Sequence, residues 1–226
     1  MNKITQMLQL QQTLNDDTNG INWENGTTKH GKIIDWRRCI YLECAELIES
    51  YPWKHWKNID ATPDYANIKI EVVDIWHFVL SLGLQEYKIH HQGSIENLSQ
   101  KLTALPNFKL FCGEITPNDK DYYKNIKTVE KLIQTLFCTQ DIDILFEAFI
   151  DVAIQSQLNL EALYRLYVGK NILNQFRQDH GYKEGTYIKV WNGEEDNVVM
   201  SRILDQNSDI TPDELYERLK ELYSLP

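Results

Sequence analysis

The apolar positions of this chain recur mostly at three- and four-residue intervals, the repeat of a helix face and not the alternation of a strand. Met7, Leu8, Leu10 and Leu14 predict a first helix that ends near Asp16. The turn-rich stretch DDTNGINWENGTTKHGK then predicts an irregular loop. The helical pattern resumes over about 33–50 and is stopped by Pro52. A second loop, SYPWKHWKNIDATPD, holds two Trp and two Lys within five residues. After the start signal Pro63-Asp64, a third helix runs from about 65 to beyond 84, and Gly93 with Ser94 marks a break. A short helix is expected over 95–105, then a loop containing Pro106 and Pro117. Further helices are expected over 121–137, 141–156 and 158–178. HGYKEGTYIKVWNGEEDN has no strong period and is read as a loop. Two last helices are expected over 194–205 and 211–222, the latter with Thr211-Pro212 as N-cap and first-turn pair. The pattern predicts an all-α, multi-helix bundle.

Composition agrees. Gly (10) and Pro (6) are scarce for 226 residues, which disfavours a turn-rich all-β fold. The length suits a single domain over 1–226, and the stretch of about 92–140 reads as a possible small helical insertion. Hydrophobic residues make up 42 %, enough for a substantial core. The formal net charge of -10 makes nucleic acid and anionic membrane surfaces poor partners. Cys39, Cys44, Cys112 and Cys138 form no CxxC pair and have no zinc spacing with histidine, as expected of reduced thiols in a cytoplasmic protein. The first residues carry no continuous apolar core of a signal peptide, and no run of about 18 apolar residues predicts a membrane span.

The candidate chemistry lies in carboxylates. YLECAELIES places Glu43, Glu46 and Glu49 every third residue, so neighbours in this series share a helix face. KIEVVDIWHFVL repeats the spacing with Glu71 and Asp74, followed by His77. The first set alone fits a solvated face. The second sits among Ile70, Val72, Val73, Ile75, Trp76 and Phe78, on a helix apolar nearly all round and therefore expected to be buried. Burying one ionised carboxylate costs several kcal/mol, and no Lys or Arg stands at a matching spacing in either segment. A divalent cation is the simplest compensation, and an all-oxygen donor set favours Mg²⁺, with Mn²⁺ as a substitute. A di-iron site would need ExxH on two helices, and only Asp74–His77 approaches that pattern.

Glu43-x-x-Glu46, a gap of 24 residues and Glu71-x-x-Asp74 resemble the metal-binding motif of the all-α nucleoside triphosphate pyrophosphatases, the MazG-like superfamily. QQTLND, PWKHWKN and YVGKNILNQFRQDHGYKEGTYIKVWNGEEDN narrow the resemblance to the dimeric dUTPases, over residues 1 to about 200. The resemblance implies a helical homodimer with a central four-helix metal-binding core. It implies Mg²⁺-dependent hydrolysis of dUTP to dUMP and pyrophosphate, and of dUDP to dUMP and phosphate, which keeps uracil out of DNA. Carried over by residue, Glu43, Glu46, Glu71 and Asp74 are metal ligands. Gln12, Asn15 and His77 meet the nucleoside, with Trp53, His55 and Trp56 beside them. His55 stands where relatives can carry Trp.

From Lys170 to Lys183 this acidic chain turns basic. Lys170, Asn174 and Arg177 share a helix face, with Asn171 beside them and Lys183 following. A guanidinium fork and mobile ammonium groups suit a triphosphate. The mechanism expected from these sets has a carboxylate of the second helix, Glu46 first and Glu43 second, orienting and deprotonating the attacking water. The roles of Glu49, Lys54, Lys57, Tyr182 and Asp196 stay open. Two other readings remain: an all-α pyrophosphatase preferring dCTP or a damaged nucleotide, since an Asn amide can serve either base, and a non-catalytic helical interaction protein.

Overall fold

The computed structural model describes residues 2–58, 60–115 and 121–223. Helix α1 (Lys3–Asn19) is followed by a short 3-10 turn (Trp23–Asn25), then α2 (Trp36–Glu49), α3 (Tyr65–Ile89), α4 (Ile95–Thr103), α5 (Phe108–Phe111), α6 (Tyr122–Cys138), α7 (Ile142–Gln155) and α8 (Leu160–Asp179). A two-stranded hairpin, β1 (Val190–Trp191) and β2 (Glu194–Glu195), precedes α9 (Asp196–Gln206) and α10 (Pro212–Tyr223). The fold is all-α, as the periodicity predicts. The chain forms two compact units, Met1–Leu163 and Tyr164–Pro226.

In the first unit α3 is the central element and packs on α1, α2, α4 and α7. It is buried on nearly every side, from Ile68 through Tyr87. Trp76 stacks on Phe149 of α7 with centroids 4.5 Å apart. Gly83 lets α7 approach: a Cβ there would lie 2.7 Å from Cζ of Phe146. Each helix of the α2–α3 pair is started by a side-chain cap. Asp35 accepts from Arg38 N–H and starts α2, and Asp64 accepts from Asn67 N–H and starts α3. The amide of Asp64 also donates to the Ser50 carbonyl (2.9 Å), closing the 51–63 connection.

Three boundaries differ from the sequence expectation. Helix α1 continues past Asp16 to Asn19, because the Asp16 carboxylate accepts from Gln12 and Trp23 and does not cap, and the helix ends at Gly20 with φ 93°. Helix α2 starts at Trp36 and not near Ile33, because Ile33 pairs with Thr27 in an isolated bridge and Asp35 supplies the cap. Residues Phe108–Phe111, expected in a loop, form one helical turn. Residues 116–120 of that expected loop, Pro117 among them, lie outside the described residues.

In the second unit the stretch read as a featureless loop contains the β1–β2 hairpin. Asn192 (φ 51°) and Gly193 (φ 88°) form its turn, the pair that two positive-φ turn positions favour. The last helices pack an aromatic cluster: Phe176 stacks on His180 at 3.9 Å, and Tyr187 stacks on Tyr223 at 5.4 Å.

Candidate active site

Helices α2 and α3 bring three acids together. Carboxylate oxygens of Glu43, Glu46 and Glu71 all lie within 4.8 Å of one another. Glu71 is buried, Glu43 half-buried and Glu46 exposed, so the group runs from the helix interface out to water. Oxygens on opposite sides of a six-coordinate Mg²⁺ stand about 4.2 Å apart. The spacing and the all-oxygen donors therefore fit a hard divalent cation. Asp74 is half-buried one turn along α3 from Glu71 and lies outside this threesome.

Glu46 and Glu71 open on a cleft of about 420 Å³ lined also by Glu49, Ser50, Thr62 and Asn67, among others. Asn67 donates to Glu71 Oε1 at 3.0 Å and to Ser50 Oγ at 2.9 Å. Glu49 lines the same cleft but accepts from Trp53 Nε1 (3.3 Å) and pairs with Lys54. The Lys54 hydrogen bond above all holds the Glu49 carboxyl below its ordinary value. Lys54 in turn lies over the Trp53 ring at 5.6 Å. Trp53, His55 and Trp56 pack edge to face, with Trp56, His55 and Lys57 exposed.

Behind the acids, α1 and α3 share a buried polar lattice. Gln11 Oε1 lies 2.7 Å from His77 Nδ1, and Gln11 Nε2 donates to Asn15 Oδ1 at 3.1 Å. Asn15 Nδ2 donates to Ser81 Oγ (3.0 Å), which donates to the His77 carbonyl. Asn15 and His77, two of the positions likened to nucleoside-contacting ones, are thus joined through Gln11, and Gln12 is not part of this lattice. Gln12 points elsewhere, to Asp16 and Glu24, and lines a separate cleft of about 250 Å³. The burial of Gln11 follows from its register: Ile4, Leu8, Gln11 and Asn15 follow the helical repeat of the buried face, and Gln12 falls off it.

In the second unit Arg177 is buried and forks onto Asp196, with Nε to Oδ2 and Nη2 to Oδ1 both at 2.8 Å. Its Nη1 donates to Asn174 Oδ1 at 3.1 Å. Lys170, also buried, donates to Asn197 Oδ1 at 2.8 Å. Tyr187 donates to Asp196 Oδ2 at 2.9 Å. Burial alone would raise the Asp196 carboxyl, but Arg177 and Tyr187 outweigh it, and the group is held below the usual aspartate value. Asn171 is buried, Lys183 is exposed, and Arg177 lies 5.9 Å from the Tyr182 ring centroid. The Glu195-Asp196-Asn197 run therefore has a physical role that spacing alone did not reveal: it holds Arg177 and Lys170 in place.

Among the described residues no helix is long and apolar enough to cross a membrane. Comparison with curated proteins returns no match. The family model described as dUTPase matches residues 3–182, a span that takes in the three converging acids, the Gln11–Asn15–His77 lattice and Lys170 to Arg177. The chain belongs to the dimeric, all-α dUTPase family and is a dUTP diphosphatase.

Proposed function

We propose that the enzyme hydrolyses dUTP to dUMP and pyrophosphate with Mg²⁺ held by Glu43, Glu46, Glu71 and Asp74, Mn²⁺ serving as substitute. The observation that carries this reading is the convergence of three carboxylates from two helices, two of which, Glu46 and Glu71, line one cleft. Bound there, the metal would neutralise charge on the phosphate oxygens and lower the pKa of a coordinated water. Glu46, the exposed member, orients the attacking water and takes its proton, with Glu43 second. Glu71, buried and held by Asn67, anchors. Asn15 and His77, with Gln11, read the base or deoxyribose through a lattice whose geometry is fixed before substrate arrives. Lys170, Asn171, Asn174, Arg177 and Lys183 supply the donors and positive charge for the phosphates. Of these, Arg177 is held by Asp196 through Nε and Nη2 and by Asn174 through Nη1, so its guanidinium is oriented before a phosphate arrives. The enzyme acts as a homodimer in the cytoplasm and also accepts dUDP.

Pyrophosphate release from dUTP, dCTP, dTTP and UTP, with Mg²⁺ and with EDTA, tests the reading. Release from dUTP only, and only with metal, is the expected result. Equal turnover of dCTP would move the enzyme to a broader pyrimidine specificity. Undiminished turnover in EDTA would remove the metal. Phosphate release from dUDP and sedimentation of the protein test the second substrate and the dimer.

A further inference from the structure

Asn67 is not among the acids that define the site, yet its side chain touches one of them. It stands at the third position of α3, and its backbone amide is occupied by the Asp64 cap. The side-chain amide is therefore not needed to start the helix. Its nitrogen reaches two groups: Glu71 Oε1, one turn along its own helix, and Ser50 Oγ at the end of α2. Ser50 Oγ in turn donates to the carbonyl of Glu46 at 3.2 Å. A single chain of hydrogen bonds thus runs from the backbone of one acid, through Ser50 and Asn67, to the carboxylate of another on the facing helix. An amide carries two N–H donors and a carboxylate only accepts, so the direction of the bonds is fixed. Asn67 also lines the cleft onto which Glu46 and Glu71 open.

We propose that Asn67 is a positioning residue for the metal. Resting on the metal reading above, the inference is that Asn67 fixes the rotamer of Glu71 and ties it in register with Glu46, so that the two carboxylates are presented together. The N–H held on Oε1 fixes how the Glu71 carboxylate is turned. Partners of this kind change metal affinity by roughly 10- to 100-fold when removed. A residue that merely closed the α2–α3 connection would instead act on stability, and would be matched by loss of the Ser50 hydroxyl.

The test is Mn²⁺ binding to the nucleotide-free protein, followed by electron paramagnetic resonance, with thermal unfolding in EDTA run in parallel. Asn67→Ala is expected to weaken Mn²⁺ binding roughly 10-fold or more while melting within a few degrees of the unmodified protein. Asn67→Gln, which keeps the amide, is expected to recover part of the affinity. Ser50→Ala, which leaves the Glu71 contact, is expected to lose clearly less. Should Asn67→Ala fail to fold, Asn67→Thr removes the amide donor while keeping bulk and takes the same reading. Unchanged Mn²⁺ affinity in the Asn67 variants beside normal binding by the unmodified protein overturns this inference alone. An unmodified protein that binds no Mn²⁺ overturns the metal reading and this inference with it.

Discussion

The two charged centres of this enzyme handle charge in opposite ways. In the first unit, Glu43, Glu46 and Glu71 gather like charge from two helices within 4.8 Å. In the second, the buried Asp196 meets a bidentate guanidinium and a phenol hydroxyl and is fully hydrogen-bonded from within. The first arrangement gains from a ligand that brings positive charge. In the second, the Asp196 charge is already met by Arg177, and the pair holds that guanidinium rigidly. A cluster that stores repulsion is the mark of a site awaiting a partner, and a satisfied ion pair is the mark of a scaffold.

The comparison breaks most sharply at the acids. Glu46→Gln and Asp74→Asn are each expected to lower Mg²⁺-dependent dUTP turnover by roughly 10³-fold, since a metal contributes several kcal/mol to a charged transition state. The melting temperature in EDTA is expected to hold or rise, because one like charge has gone. Pyrophosphate release and thermal unfolding check both, and wild-type turnover in either variant removes that residue from the metal set.

Asp196→Asn is expected to do the reverse and cost stability. Breaking a buried pair by removing one partner costs about 3–5 kcal/mol, measurable by urea unfolding. The pH dependence has a definite sign. The folded Asp196 carboxyl lies below its unfolded value, so its contribution is present above about pH 4 and is lost as pH falls through the folded value. Asp196→Asn should therefore flatten the acid limb of the stability curve while leaving Mn²⁺ binding unchanged.

The smallest effect separates neighbours on α1. Asn15→Ala and Gln11→Ala are expected to narrow the preference for dUTP over dCTP by roughly 5- to 150-fold, the worth of one buried polar contact at about 1–3 kcal/mol. Gln12→Ala, directed at Asp16 and Glu24, should leave the ratio unchanged. A larger shift from Gln12 than from Gln11 would move the base away from the lattice.

Helices were legible because their apolar repeat and caps are local. The carboxylate pairs were legible because Glu71 interrupts an otherwise apolar helix. What escaped was decided by tertiary partners. Nothing within α1 announces that Asp16 will serve Trp23 and let the helix run on to Asn19. Asp196 looked like one acid in an acidic chain, since its partner Arg177 lies 19 residues away. The hairpin before it escaped because its strands are two residues each, too short to show an alternating pattern.

The bond from Asp64 N–H to the Ser50 carbonyl has a consequence for the order of folding. The loop it closes is short, and closure entropy grows only slowly with length, so joining the ends of α2 and α3 is among the cheaper long-range events open to this chain. The acids are then assembled by a local helix hairpin, and their repulsion opposes that step from the outset. A cation that binds the assembled hairpin removes this opposition in the transition state as well as in the native state. Mg²⁺ should consequently quicken refolding, and not only retard unfolding, to the degree that the α2–α3 hairpin belongs to the folding nucleus.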